Sequence, residues 1–151
     1  MKYIDQVLQP GEKIVFSSTL SWANYLPSVL LWLVALLSFV AGSVLQPSSP
    51  WLWSAIVVAV LAAVSTLRTW FRRWTTEIDV TDRRVVYKRG FIRRHTVEMN
   101  MDKIESVDVD QSLLGRMLDY GDIIIRGTGA GIEPLRGIDS PLAFRNAVTA
   151  R

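Results

Sequence analysis

The chain has no cysteine and only one histidine, His95, among its 151 residues. The lack of thiols excludes disulfides and thiolate chemistry, and it leaves the redox compartment undetermined. A His/Cys metal site cannot be built from one histidine, and a Ser-His-Asp triad would depend on His95, which lies in a strand-like segment. The glycines at 127, 129 and 131 lack the lysine and the following helix of a phosphate loop. We therefore expect no enzyme, with no cofactor, no metal and no small-molecule substrate.

Charged side chains are absent from residues 14–67, a run of 54 residues without Asp, Glu, Lys or Arg. Within it, residues 25–45 and 51–69 are mostly aliphatic. As helices they would be roughly 31 Å and 28 Å long, close to the ~30 Å hydrocarbon core of a bilayer. A polar break with two prolines separates them, so the pattern predicts an antiparallel transmembrane hairpin. The alternative, a hairpin buried in a soluble protein, would need more polar chain to cover two helices that are hydrophobic all round.

The tryptophans support this hairpin by their positions. Five of the six lie at or near the ends of the two apolar segments, namely Trp22, Trp51, Trp53, Trp70 and Trp74. Aromatic rings prefer the two membrane interfaces. Trp32 is the exception, about two turns inside the first helix, from where it can pack against the second. Small residues cluster in both segments, at Ala41, Gly42, Ser43, Ala55, Ala59, Ala62 and Ala63. They permit close helix approach, either within the hairpin or with another membrane protein.

The net charge of +3 comes from one place in the sequence. Residues 1–24 and 75–151 each hold equal numbers of basic and acidic side chains, so the excess is Arg68, Arg72 and Arg73. This distribution lacks the basic stripe of nucleic-acid binding, and we expect no nucleic-acid partner. We interpret the three arginines as topology anchors, because basic residues concentrate on the cytoplasmic side of membrane helices. The sequence thus predicts a multi-pass protein of the cytoplasmic (inner) membrane with both termini in the cytoplasm.

After residue 75 the sequence has the short alternating segments of a β domain. The predicted strands are residues 77–80, 84–88, 92–99, 104–109, 122–126 and 132–136. Two helices are predicted as well, at residues 112–119 and at about 141–150. The apolar face of the first comprises Leu113, Leu114, Met117 and Leu118. The inward-facing residues of the second are expected to be Leu142, Phe144 or Ala147, and Val148. The fold class is therefore a membrane α-helical hairpin plus a mainly-β (α+β) sandwich or open barrel with a C-terminal helix.

One more strand is predicted before the hairpin, within residues 10–18. It is too short to fold alone, so we expect it to pair with the later sheet. The chain then divides into residues 1–24, which contribute the first strand, residues 25–69, which form the hairpin, and residues 75–151, which form the cytoplasmic domain. The hairpin would be an insertion between the first and second strands of one domain.

Seven short motifs follow one another along the chain. They are Pro10-Gly11-Glu12, Thr81-Asp82-Arg83-Arg84-Val85, Lys88-Arg89-Gly90, Ile104-Glu105-Ser106-Val107, Gln111-Ser112-Leu113-Leu114-Gly115-Arg116, Tyr120-Gly121 and Arg126-Gly127-Thr128-Gly129. In order and spacing they resemble the bacterial pleckstrin-homology-like (PH-like) membrane proteins with a bPH2 domain, over nearly the whole chain. The resemblance implies a PH-like fold of seven strands and a C-terminal helix. It implies no settled activity, because the family is defined by its fold.

One group of residues has a credible binding role. Around an expected turn lie six candidates for contact with a membrane or lipid headgroup: Lys88, Arg89, Phe91, Ile92, Arg93 and Arg94. Each basic residue near an anionic surface contributes ~1 kcal/mol. The group resembles the basic first hairpin of pleckstrin domains that bind phosphoinositides, although bacteria generally lack those lipids. The alternative is a set of ordinary outward strand charges, balanced by Glu98 and Asp102 among others.

Three functions remain open. The first is a non-enzymatic, membrane-anchored module that acts as a protein-interaction or assembly subunit, with a membrane-protein partner or a second copy of itself. The second is a module that senses or handles anionic lipids. The third is a channel or transporter subunit, which would require oligomers because two uncharged helices cannot enclose a polar path.

Overall fold

The structure is a computed structural model that describes residues 3–45, 50–91, 94–128 and 134–150. It contains two compact units. The sheet unit joins the chain up to Ala23 with the chain from Arg72 onward, and the hairpin unit is Asn24–Phe71. The two units are described separately below.

In the described residues of the sheet unit, seven strands form two antiparallel sheets. The four-stranded sheet has the order β1 (Ile14–Ser18), β2 (Glu77–Thr81), β3 (Arg84–Arg89) and β4 (His95–Asn100). The three-stranded sheet has the order β5 (Ile104–Asp110), β6 (Tyr120–Gly127) and β7 (Leu135–Asp139). Two antiparallel sheets with a C-terminal helix agree with the predicted α+β class.

Strand β1 pairs with β2, although the hairpin separates them in sequence. Phe16 lies opposite Val80, and the Ser17 hydroxyl donates to Asp79 Oδ1 at 2.6 Å. Just beyond β1, Leu20 forms an isolated bridge with Ile138 of the other sheet. The segment before the hairpin therefore contributes hydrogen bonds to both sheets.

The core lies on the inner faces of the two sheets. Its fully buried members include Ile78, Val80, Val85, Ile123, Ile125, Leu135 and Ile138. Helix α5 (Pro141–Thr149) adds Phe144 and Val148, and the Phe144 ring meets the Phe16 ring edge-on at 6.3 Å between centroids. The prediction that Leu142 also faces inward was wrong, since this side chain is 44% exposed. Leu142 lies two residues from Phe144, which places it on another face of the helix.

Helix α4 (Leu113–Met117) turns its apolar residues outward. Leu113, Leu114 and Met117 are 81%, 59% and 81% exposed, whereas Gly115 is buried. A Cβ at Gly115 would lie 2.6 Å from the Tyr120 carbonyl oxygen, so only glycine allows this close approach. Residues two positions from Gly115 point to the opposite side of the helix. The close packing of Gly115 thus places Leu113 and Met117 toward the surroundings.

Two predicted strands differ from the observed ones. Residues 92–99 were predicted as the third strand of the domain, but β4 begins at His95, and Ile92 and Arg93 lie outside the described residues. The strand predicted at 132–136 corresponds to β7, which continues to Asp139, and residues 129–133 are not described. A glycine often interrupts a strand, but β7 continues through Gly137. The Gly137 N–H donates to Asp122 Oδ1 of the neighbouring β6 at 2.8 Å.

A short helix α1 (Ile4–Val7) precedes β1 and was not predicted. Its Ile4 is fully buried, although only a single turn of helix carries it. A four-residue segment offers no periodicity that could reveal a helix from sequence.

The hairpin unit is built mainly from two long helices. After a 3₁₀ turn at Trp22–Tyr25, α2 spans Leu26–Leu45 and α3 begins at Pro50. Helix α3 continues to Thr75, six residues beyond the predicted end at 69. The predicted end marked the end of the apolar segment. The arginines and tryptophans that follow it are compatible with a helical backbone, so the helix continues through them. By length and composition, both helices could cross a bilayer.

Small and polar residues join α2 to α3. Ala35, Ala55 and Ala62 are buried, which supports packing within the hairpin. The Ser28 and Ser65 hydroxyls lie 2.8 Å apart, and Trp32 Nε1 donates to Thr66 Oγ1 at 3.2 Å. Trp32 thus contacts the second helix.

Candidate functional site

The predicted basic tip begins at the end of β3. The Lys88 ammonium lies 3.1 Å from Glu77 Oε1 and 5.4 Å from the centre of the Tyr3 ring. Both contacts hold Lys88 against neighbouring elements of the sheet unit. Gly90 then has φ +88°, a left-handed conformation that allows the chain to turn.

The remaining members of the tip do not form one described cluster. The Phe91 ring stacks at a tilt on Trp74, with 5.5 Å between ring centres. Arg94 is exposed, and Ile92 and Arg93 lie outside the described residues. Of the six candidates, Lys88 is therefore paired with Glu77, and Phe91 is in contact with Trp74. Arg89 lines a cavity, which is described next.

Arg89 lines a cavity of about 410 Å³ together with two other arginines, Arg72 and Arg136. Arg72 is in the last turn of α3, Arg89 is the last residue of β3, and Arg136 is the second residue of β7. All three lie in the sheet unit. We call this feature the arginine cavity. Its other described lining residues are Leu20, Thr76, Tyr87, Pro134, Leu135 and Ile138.

The arginine cavity combines buried and exposed lining residues. Leu135, Ile138 and Tyr87 are 1%, 1% and 7% exposed, so they are fixed parts of the core. The side chains of the three arginines are exposed. Tyr87 and Arg89 are two residues apart in β3 and therefore share one face of the strand. The cavity thus has a rigid, largely apolar base and cationic side chains that solvent can reach.

Charge in the arginine cavity is uncompensated among the described residues. No carboxylate is among its described lining residues, and in the described chain none of its three guanidiniums forms an ion pair. Like charges held around one cavity raise its positive potential. This arrangement favours the binding of an anion.

Arg84 has the opposite environment. Its guanidinium lies 2.9 Å from Glu12 Oε2 and 2.8 Å from Glu98 Oε2, and it also donates to the Val7 carbonyl at 2.7 Å. The Thr81 hydroxyl donates to Glu12 Oε1 at 2.7 Å. These residues, which we call the Glu12–Arg84 cluster, link the chain before the hairpin to β3 and β4. Two of the sequence motifs, Pro10-Gly11-Glu12 and the one from Thr81 to Val85, meet in this cluster.

The Glu12–Arg84 cluster keeps both partners charged. Burial raises the pKa of Glu12, but hydrogen bonds from the Gln9 N–H, Thr81 and Arg84 outweigh it and leave the pKa below its ordinary value. The hydrogen bond to Glu12 is the largest cause that raises the pKa of Arg84. With every polar contact inside the protein, the cluster has a structural role and offers no group to a ligand.

The other titratable candidates are dispersed. Glu105, Asp108 and Asp110 are exposed along β5, as expected for solvated strand residues, and Asp108 pairs with Arg126 at 3.1 Å. His95 is exposed at the start of β4. Among the described residues, no three His, Cys, Asp or Glu side chains are grouped to hold a metal ion.

Sequence reasoning missed the arginine cavity. Arg72 was interpreted as a topology anchor with Arg68 and Arg73, Arg89 was assigned to the tip, and Arg136 was not singled out. The three residues span 65 positions of the sequence, so no local motif could have grouped them. They belong to a helix and to strands of two different sheets, and only the folded chain brings them to one cavity.

The comparisons with known proteins identify one family. The profile described as the bacterial PH domain matches residues 19–151, which includes the hairpin and six of the seven strands. No curated protein and no solved structure matches the chain. The family match covers most of the chain and agrees with the two antiparallel sheets and the C-terminal helix. The chain therefore belongs to the bacterial PH domain (bPH2) family.

Proposed function

We propose that this chain is a non-enzymatic PH-like module, anchored in the cytoplasmic membrane by its hairpin, that acts as a protein-interaction or assembly subunit. The observation that carries the proposal is the exposure of the hairpin. Only 17% and 11% of the most apolar stretches of its two helices are buried. A core helix of a soluble protein would be mostly covered, whereas lipid covers the helices of a membrane hairpin.

The polar groups of the hairpin support a lipid environment. In hydrocarbon, each hydroxyl needs a partner inside the protein. Ser28 and Ser65 pair with each other, and the Ser43, Ser54 and Thr66 hydroxyls donate to backbone carbonyls three or four residues earlier. These local bonds satisfy the hydroxyls without water.

The apolar face of α4 supports a protein partner. Leu113, Leu114 and Met117 are exposed side by side on one short helix. Contiguous exposed apolar side chains on a folded domain are typical of an interaction surface. A membrane-protein partner or a second copy of this chain would remove them from water.

Membrane topology is tested by cysteine labelling, for which the cysteine-free sequence is a clean background. Single variants Lys13→Cys, Ser49→Cys and Arg145→Cys are produced in cells and exposed to a membrane-impermeant thiol reagent. We expect labelling from outside only at position 49. Labelling of position 13 or 145 from outside would overturn the proposed orientation, and extraction of the chain by carbonate would overturn the anchor.

The role of α4 is tested by the size of the detergent-extracted complex. We expect the wild-type chain to migrate as a species larger than a 17.0 kDa monomer, and Leu113→Asp with Met117→Asp to shift it to the monomer. Arg116→Gln, on the same helix, is the matched control. A mass that is a multiple of the chain indicates self-assembly, and other masses indicate a different partner. An unchanged size in the double variant would exclude α4 as the interface.

A second function, the sensing or handling of anionic lipids, is favoured by the arginine cavity. The basic tip supports this function less well, because Lys88 is paired with Glu77. The cavity offers three guanidiniums instead, without a carboxylate among the described lining residues.

A further inference from the structure

We propose that the arginine cavity is a binding site for a phosphate group, and that an anionic phospholipid supplies this group. All described residues of the site belong to the sheet unit, so the proposal of phosphate binding does not depend on the membrane anchor. The proposal that a lipid supplies the phosphate rests on the proposed membrane anchoring.

The three guanidiniums match the chemistry of a phosphate. A guanidinium presents several N–H donors in a planar fork that can bind two phosphate oxygens at once, and it remains charged at every physiological pH. Arg72, Arg89 and Arg136 come from three different elements, so they can approach one anion from different directions. A carboxylate ligand would need only one such fork.

The backbone that carries these arginines is held in place. Arg89 pairs with His95 across β3 and β4, and the preceding residue, Lys88, pairs with Glu77 on the other side. Arg136 follows the buried Leu135 in β7. A backbone held in regular structure loses less freedom on binding than a loop would, which favours affinity.

The size of the arginine cavity fits a phosphate ester better than a bare ion. Its volume of about 410 Å³ lies within the ~300–1,000 Å³ of small-molecule sites. Its aliphatic lining residues Leu20, Leu135 and Ile138 are 7%, 1% and 1% exposed, so a ligand would meet mainly the exposed arginines. A phosphate that carries a glycerol group would fill more of this volume than a bare ion.

The position of Arg72 in the sequence favours a lipid as the source. Arg72 follows the predicted apolar segment, which ends at residue 69, by three residues of the same helix. In a membrane-anchored chain, a residue so close to the end of a span lies at the depth of the headgroups. Phospholipid phosphates would then be the most abundant anions near the site.

The test uses the full chain, purified in a neutral detergent, with two probes measured by native mass spectrometry. Phosphatidylglycerol tests the lipid source, and glycerol 3-phosphate tests a soluble phosphate ester. The variant is Arg89→Gln with Arg136→Gln. The matched control is Arg116→Gln with Arg145→Gln, which removes the same charge from exposed positions outside the cavity.

We expect the wild-type chain and the control to bind phosphatidylglycerol equally. The cavity variant should bind it at least about tenfold more weakly, since each basic residue contributes to anion affinity. Replacement of both arginines by lysine should restore part of the binding. Binding of glycerol 3-phosphate alone, with the same dependence on the cavity, would overturn the lipid source but keep the phosphate site. Equal binding by the variant and the control, or no binding of either probe, would overturn the site.

Two further measurements keep these outcomes interpretable. Both substituted residues are exposed, so we expect the variant to keep the wild-type thermal unfolding midpoint. If the double variant unfolds, the single variant Arg136→Gln replaces it, with a smaller expected loss of binding. The cysteine-labelling experiment separates this proposal from the membrane anchor, because a failed anchor would change the labelling pattern but not the binding of glycerol 3-phosphate.

Discussion

The Glu12–Arg84 cluster and the arginine cavity both depend on guanidinium groups of the sheet unit, yet their surroundings are opposite. Arg84 has two carboxylates and a carbonyl within 3 Å. The three arginines of the cavity have no described carboxylate partner. Charges that stabilise a fold are paired inside it, whereas charges retained for a ligand stay unpaired until the ligand binds. The comparison separates structural arginines from candidate binding arginines without any knowledge of the ligand.

The largest expected effect is at Arg84. Arg84→Met leaves the carboxylate of Glu12 buried and unpaired, and loss of one partner of a buried pair typically costs about 3–5 kcal/mol. Thermal or denaturant unfolding of the full chain in detergent measures this loss. The control Arg145→Met removes an exposed arginine and should change little. Similar stability of the two variants would show that the cluster is not structural.

Acid should weaken the same cluster. The pKa of Glu12 is lowered in the folded chain from its ordinary value of 4.5. Its contribution to stability is therefore fully present above pH 4.5 and is lost as the pH falls from there through the lower folded pKa. Unfolding midpoints measured across this range should fall in the wild type. The decline should be shallower in Glu12→Gln, and an equal decline in both would assign it to other carboxylates.

A smaller effect is expected at Glu98, the more exposed partner of Arg84. The side chain of Glu98 is 36% exposed, whereas that of Glu12 is fully buried. Exposed ion pairs contribute about 0–1 kcal/mol. Glu98→Gln should therefore cost much less than Arg84→Met in the same unfolding experiment. A cost as large as that of Arg84→Met would mean that the surface pair, and not the buried one, holds the cluster together.

The smallest effect on stability is expected in the arginine cavity. Arg89→Gln with Arg136→Gln removes two exposed like charges and should change the free energy of unfolding by no more than about 0.5 kcal/mol. The same unfolding assay measures it. A loss of several kcal/mol would mean that these arginines are structural after all, and the contrast with Arg84 would disappear.

Much of the fold followed from periodicity. Glu77-Ile78-Asp79-Val80 alternates with period two and forms β2, and the uncharged segments form α2 and α3. The pairing of β1 with a strand beyond the hairpin was also predicted, since a lone short strand needs partners. These features depend on the local sequence pattern or on the need of a short strand for a pairing partner.

Other features depend on contacts between distant residues. The apolar residues of α4 were grouped correctly on one face, but the direction of that face is set by the contact between Gly115 and Tyr120. Within the candidate tip, Lys88 pairs with Glu77 on the neighbouring strand, a contact that the sequence did not indicate. The arginine cavity requires the last turn of α3 and one strand from each sheet to lie close together. Sequence patterns describe single elements, whereas these sites are made where elements meet.

The pairing of β1 with β2 also has a consequence for biosynthesis. Residues 19–76 separate the two strands, so β1 leaves the ribosome first and must wait until both long helices have been made. If the hairpin spans the bilayer as proposed, β1 and β2 lie on the same side only after an even number of crossings. A chain that inserted one helix alone would leave β1 stranded across the membrane and its sheet incomplete. If the hairpin spans the bilayer, completion of the sheet would therefore act as a check on insertion, because only a chain with both helices inserted could form it.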